Sequence, residues 1–237
     1  MSAPEARQNT HFVRNGKEIH AYLALPASGR GPGVILIQEW WGLTDHIADV
    51  ADRLAQAGFV ALAPDLFGGR TTHDSDEAGK MMSDLPLEQG VADLVGAVDW
   101  LLEHEAVEGD ALGTVGFCMG GGFVLALAAA AGEKIAAAVP FYGVFAGEDP
   151  DFSGMKAAVL GHFGEKDAYA PPERAQDLAR QIRGQSGAPV ELQFYPAGHA
   201  FHNDENLLGT YDETQAQLAW KRTLAFLTEQ LTVPATA

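Results

Sequence analysis

The chain has 237 residues, 47% of them apolar and 20% charged, a balance that suits a soluble globular protein and excludes a disordered or fibrous one. Its 32 Asp and Glu against 15 Lys and Arg leave a formal charge of −17, which repels phosphate backbones and anionic membrane surfaces and argues against a nucleic-acid or membrane partner. A single cysteine forbids an intrachain disulfide, the opening MSAPEARQNTHF lacks the basic and apolar regions of a signal peptide, and no apolar run has spanning length, so a cytoplasmic location is expected.

One domain over residues 1–237 is expected, with 1–9 and 232–237 as loose tails. HFVRNGKEIHAYLALP reads as two short strands about Asn15-Gly16, the dipeptide best suited to a tight hairpin. GVILIQE is a continuous apolar run, as for a strand buried on both faces, and DHIADVADRLAQAG has helical spacing ending in a glycine stop. FVALAPDLF is a second buried strand. GGRTTHDSDEAGKMMSD is the least regular part, a loop with a short helix whose charges read as a solvated face. PLEQGVADLVGAVDWLLEH follows as a long amphipathic helix, ALGTVGF as a strand and MGGGFVLALAAAAG as a small-residue helix. KIAAAVPFYG, KAAVLGHFG and VELQFYP read as strands, PPERAQDLARQIRG and TYDETQAQLAWKRTLAFLTEQ as helices. The alternation predicts an α/β fold, a mostly parallel central sheet with helices on both faces and an N-terminal antiparallel hairpin.

Catalytic groups in such sheets collect at the carboxyl ends of the strands. Cys118 falls there, directly after TVGF and before a helix, within the frame Gly116-Phe117-Cys118-Met119-Gly120. That frame is the nucleophile elbow G-x-S-x-G with sulfur for oxygen, and its glycines relieve the crowding of a sharp strand-to-helix turn. The thiol lies beside a helix N-terminus, which favours a thiolate, and the Met119 N–H is a candidate oxyanion donor. A buried small hydrophobe is the alternative for any lone cysteine; the flanking glycines favour the nucleophile.

A thiol nucleophile needs a base and a group that orients the base. His199 in AGHAFHN leaves the last strand, and Asp167 in GEKDAYAP leaves the one before it. The order Cys118, Asp167, His199 is that of the α/β-hydrolases. His202 is the rival base, with the preceding glycine favouring His199. His162 reads as a packed core histidine, while His11, His20, His46, His73 and His104 read as surface groups. Asp167 has a turn role as its alternative, ahead of Pro171 and Pro172. In LIQEWWGL, Glu39 ends a buried strand and its carboxylate is expected near Cys118; two tryptophans beside it point to a partly apolar pocket in which it exchanges protons. The Trp40 N–H is the second candidate oxyanion donor. Trp41, Tyr142, Phe201, Asn203 and Arg70 are expected to line the substrate pocket.

The motifs QEWWG, APDLFGG, VGFCMGGG, FYG, GEKDAYAP and AGHAFHN together resemble the dienelactone hydrolases (carboxymethylenebutenolidases), a family of α/β-hydrolases in which cysteine replaces the usual serine. The resemblance runs from the second hairpin strand to the final helix. It implies a Cys118-His199-Asp167 triad, with Glu39 as an auxiliary carboxylate that holds or deprotonates the cysteine until substrate arrives. It implies attack on a lactone carbonyl, hydrolysis of the resulting thioester, and no metal or organic cofactor.

The chain departs from that family at the two arginines that hold the carboxylate of an anionic lactone. Four residues after His199 stands Asn203, and THDSDEAGKMMSDLPLEQG contains no arginine; Arg70 and Lys80 do not match by position. An unpaired carboxylate in a desolvated pocket costs on the order of several kcal/mol. Either a lysine or Arg70 takes over the carboxylate, or the substrate is a less charged ester or lactone, and the second is the favoured expectation. The alternatives are a broad carboxylesterase or thioesterase acting on neutral esters, and a non-catalytic binding or redox-sensing protein, which has no need of Asp167. A monomer or weak homodimer is expected.

Overall fold

The computed structural model describes residues 5–14, 16–145 and 147–231. Strands β1 (Thr10–Arg14) and β2 (Lys17–Ala24) form the antiparallel hairpin, closing at Arg14 opposite Lys17. Gly16 takes φ +78°, as the tight turn requires, while Asn15 lies outside the described residues. Strand β3 (Gly31–Ile37) leads through helix α1 (Asp45–Gln56) to β4 (Val60–Pro64), then helices α2 (Ser75–Ser83) and α3 (Leu87–Leu102) lead back to β5 (Val107–Phe117). Helix α4 (Met119–Ala131), β6 (Ile135–Phe141), β7 (Ala158–Gly164), α5 (Pro172–Ser186), β8 (Val190–Tyr195) and α6 (Glu213–Leu231) complete the chain.

The eight strands lie in the order β1-β2-β4-β3-β5-β6-β7-β8. β2 pairs antiparallel with β4, and every pair from β4 across to β8 is parallel. From β3 the chain steps outward to β4, returns past β3 to β5 and continues the other way. This reversal sets the ends of β3 and β5 side by side at the crevice where an open α/β sheet binds its ligand.

The pleat sorts the apolar run of β3 between two cores. Ile35 and Ile37 join Leu94, Val98 and Leu101 of α3 and Val124 and Leu127 of α4. Val34 and Leu36 join Ile47, Val50 and Leu54 of α1 and Leu227 and Leu231 of α6 on the other face. Each fully buried Leu or Ile contributes roughly 1.5–3 kcal/mol, which is why a strand without a polar face settles in the middle of the sheet.

One expectation is corrected. The described part of the 1–9 tail is tied down: the Arg7 N–H donates to Leu43 O at 3.0 Å, Gln8 Nε2 to Asp65 Oδ2 at 2.6 Å, and the Asn9 N–H to Ala21 O at 3.0 Å. The 232–237 tail lies outside the described residues. The irregular segment after β4 is a loop followed by the short helix α2, and its charged side chains Arg70, Asp74, Asp76, Glu77, Lys80 and Asp84 are exposed as expected, while Thr72, Ala78 and Met81 are buried against the body. Asp74 caps that helix, accepting from the Glu77 N–H at 2.9 Å.

Candidate active site

Cys118 occupies the turn between β5 and α4 with φ +53° and ψ −116°, a backbone state costing about 1–3 kcal/mol for a residue with a side chain. The glycines of its frame make the turn possible. A Cβ at Gly116 would lie 2.4 Å from Gly120 O, and one at Gly120 would lie 2.5 Å from both Ile37 O and Gln38 O. α4 therefore abuts the end of β3, and the side chain between the two glycines is lifted toward the crevice.

His199 Nε2 stands 3.1 Å from Cys118 Sγ, and His199 Nδ1 stands 2.8 Å from Asp167 Oδ2. Asp167 is itself fixed, since its Oδ1 accepts from the N–H groups of Tyr169 and Ala170, each at 2.8 Å. Burial pulls the His199 imidazole toward its neutral form. Hydrogen bonds and charges from Asp167 and Cys118 outweigh that pull and push its pKa up to about 10. The ring is held between Tyr142 and Tyr169, both with centroids 5.1 Å away. Cys118, Tyr142 and Ala200 all have positive φ, so three of the four such non-glycine residues described cluster around this site.

Glu39 is buried at the end of β3. Its Oε1 accepts from the Tyr142 hydroxyl at 3.1 Å and its Oε2 from Asn203 Nδ2 at 2.7 Å. Among the described residues it makes no hydrogen bond to Cys118, which differs from the expected pairing of this carboxylate with the thiol. Burial, then the charges of Glu39 and Cys118, hold the Tyr142 hydroxyl protonated well above its ordinary range.

The thiol opens into a cavity of about 280 Å³ lined by Trp40, Met82, Cys118, Met119, Tyr142, Val144, Phe145, Tyr169, His199 and Leu208. No lysine or arginine lines it among the described residues. Trp40 and Met119 both border it, and neither backbone N–H has a backbone acceptor among the described residues.

Of the expected pocket residues only Tyr142 lines this cavity. Phe201 is fully buried behind it, against Tyr142 and Tyr195. Trp41 is buried below Trp40, 4.8 Å between ring centroids, and Asn203 lies beneath the cavity floor on Glu39. Arg70 is exposed and points to Asp84 at 3.9 Å. Met82, Val144, Phe145, Tyr169 and Leu208 take their place. Of these, Val144 and Phe145 directly follow FYG and Tyr169 follows Asp167, so proximity to a strand end was the available signal.

The histidines divide differently from expectation in one case. His162 is a core residue, its Nδ1 2.8 Å from the Tyr195 hydroxyl and its Nε2 3.0 Å from Thr223 Oγ1; burial, aided by Arg222, lowers its pKa to about 3. His202 is buried against Phe117, Phe141 and Trp220 and takes no part in the Cys118 pairing. His46, expected on the surface, is buried with its Nδ1 2.7 Å from Asp204 Oδ1. The loop after β8 folds over the start of α1 and covers it.

A mostly parallel sheet carrying a strained Cys elbow, a histidine after β8 and an aspartate after β7 defines an α/β-hydrolase fold. The chain belongs to the dienelactone hydrolase family, whose model matches residues 19–231. Protein usf of Aquifex pyrophilus is 36% identical over 95% of this chain and 99% of its own. "Putative carboxymethylenebutenolidase" of Aquifex aeolicus is 30% identical over 92% of this chain and 96% of its own. The crystal structure of "Putative Dienelactone Hydrolase" from Klebsiella pneumoniae superposes with a TM-score of 0.83 at 33% identity, covering 96% of this chain and 98% of that one. The family makes the protein a hydrolase acting on esters or lactones. No helix among the described residues is long and apolar enough to cross a membrane.

Proposed function

We propose that this protein hydrolyses uncharged carboxylic esters or lactones with Cys118 as nucleophile, His199 as acid and base, and Asp167 as the group that orients His199. The observation that carries this reading is the continuous chain of contacts from Asp167 to His199 to Cys118, at 2.8 and 3.1 Å, opening into a cavity without a lysine or arginine in its lining. With its pKa at about 10, His199 already holds the proton of the Cys118–His199 pair, and the thiolate attacks the carbonyl carbon. The negative charge that develops on the carbonyl oxygen is met by the N–H groups of Trp40 and Met119. Collapse of the adduct breaks the ester C–O bond, and His199 returns the proton to the departing alkoxide or enolate. His199 then draws a proton from water, whose oxygen attacks the thioester, and the acid leaves as the thiolate departs and the imidazolium–thiolate pair is restored.

Substrate charge follows from the walls. An anionic lactone bound here faces aromatic and aliphatic side chains and no side-chain cation but His199, already paired with Asp167. Its carboxylate keeps too few partners to repay desolvation.

The test is kcat/KM for the wild type and Cys118→Ala on a neutral aryl ester and on the anionic dienelactone. Cys118→Ala is expected to lose roughly 10³-fold or more on the neutral ester. The wild type is expected to favour the neutral ester by at least about tenfold, given an unpaired carboxylate costing more than about 1.4 kcal/mol. A Cys118→Ala protein at wild-type rates overturns the nucleophile; a preference for the anion overturns the substrate class.

A further inference from the structure

The Glu39 carboxylate is buried and, among the described residues, is held by Tyr142 and Asn203 with no hydrogen bond to Cys118. A carboxylate only accepts hydrogen bonds, and a buried one is costly unless both oxygens are served. Here one oxygen is served by Tyr142 and the other by Asn203. The Asn203 amide cannot turn the other way, because its Oδ1 accepts from the Glu205 N–H at 2.9 Å and so its Nδ2 must face Glu39. Glu39 is also fixed through its main chain, its carbonyl accepting from the Gly42 N–H at 3.2 Å across a turn that contains Trp40. The three side chains come from the ends of β3, β6 and β8, so the knot ties together the loops that carry Trp40, the cavity wall and His199.

We propose that Asn203 and Tyr142 are positioning residues: by holding the Glu39 carboxylate they fix the Glu39–Trp40 peptide, which keeps the Trp40 N–H aimed at the oxygen that becomes anionic during acyl transfer. The inference rests on the cysteine-hydrolase reading. In this arrangement Glu39 acts as an anchor for a backbone donor, whatever further part its carboxylate takes once substrate arrives. Hydrogen bonds to an ionised acceptor are about twice as strong as neutral ones, which suits an anchor that must not drift when charge appears nearby.

Asn203→Asp tests this with little change of shape. It sets a second carboxylate against Glu39, and two such groups ionise together only at a cost. The charged and titratable groups facing the anchor are His46 on α1, Asp204 and Glu205 on the loop after β8, Tyr142 after β6, and Cys118 paired with His199 after β5. All are present in the wild type, so the ratio of variant to wild-type kcat isolates the new pair. At acid pH one proton shared by the two carboxyls restores the hydrogen bond; at alkaline pH they repel and the peptide moves.

Turnover of a neutral aryl ester is measured across about pH 5.5 to 8.5, with folding followed by circular dichroism. The kcat ratio is expected to fall at least about tenfold from the acid to the alkaline end while KM changes little, as for partial loss of one oxyanion donor. A ratio independent of pH, whether high or low, overturns the proposal. Asn203→Leu, which lacks the donor and adds no charge, is expected to lose at least about tenfold in kcat at every pH, and wild-type kcat in that variant also overturns it. Cys118→Ala runs alongside. If it loses activity while the ratio is flat, the anchor alone fails; if it still turns over the ester, the hydrolase reading fails and the anchor with it.

Discussion

Replacing Asp167 by asparagine should disable the site through a tautomer while leaving its shape intact. Asp167 Oδ1 accepts from two backbone N–H groups at 2.8 Å, so an asparagine must keep its carbonyl oxygen there and turn its NH₂ toward His199 Nδ1. Nδ1 then has to accept, and the single proton of the neutral imidazole moves to Nε2, where it faces Cys118 Sγ at 3.1 Å. A nitrogen that already carries a proton cannot take one from the thiol. The charge is lost as well: the climb of the His199 pKa from 6.5 to about 10 represents on the order of 5 kcal/mol, achieved against burial by Asp167 and Cys118 together. A wrong tautomer in a triad costs roughly 10⁴ in kcat, about 5.5 kcal/mol of barrier. The assay is kcat on a neutral aryl ester near neutral pH, with thermal unfolding as a check on folding. An Asp167→Asn protein within about tenfold of wild type would refute the reasoning, because it would mean that His199 does not depend on Asp167 for its proton placement.

Two further outcomes follow from packing and burial. Gly120→Ala drives a Cβ to 2.5 Å from two carbonyl oxygens at the end of β3, and backbone cannot give way as a flexible side chain can. A loss of about 1–3 kcal/mol is expected, a fall in Tm of several degrees; an unchanged Tm sinks the claim that α4 abuts β3 there. His162 refuses a proton in the folded state until about pH 3 but accepts one near 6.5 when unfolded, so its contribution is present above pH 6.5 and is lost as pH falls toward 3. The slope is about 1.4 kcal/mol per pH unit. His162→Gln should flatten the acid limb of stability in urea titrations between about pH 6.5 and 4, and an identical slope in both proteins rules the residue out as its source.

The fold was legible because its elements carry strong local signals. GVILIQE has no polar face and so had to lie inside a sheet, and the small apolar residues of α4 left it no solvent side. The contact of Cys118 with His199 and of His199 with Asp167 was legible for a related reason: each of the three stands just past a buried strand, and strand ends converge. The cavity walls were much less so. Trp41, Phe201 and Arg70 also stand near strand ends, but outside regular structure no period says which way a side chain turns. Trp41 and Phe201 turn inward and Arg70 turns to solvent. Met82 sits on α2, a helix whose placement over the crevice is decided by tertiary packing. His46 was misplaced because its burial depends on Asp204, 158 residues away.

Position 203 shows how one residue type can serve two ends of the same site. An arginine there would bring a cation to a substrate carboxylate, and it would also meet Glu39 as an ion pair with a long, mobile partner. Asparagine supplies no cation, and its short amide, pinned at one end by the Glu205 N–H, offers Glu39 a single fixed donor. The same choice therefore fits the proposed preference for uncharged substrates and a carboxylate that stays in place. Burial and then the Glu39 charge raise the Tyr142 hydroxyl, and the same charge, behind the Asp204 hydrogen bond, helps raise His46 against its burial. An anionic substrate entering beside Tyr142 would meet that field as well as the absence of a partner. On the proposed reading, charge selection would be set by Glu39 behind Tyr142 as well as by the cavity walls.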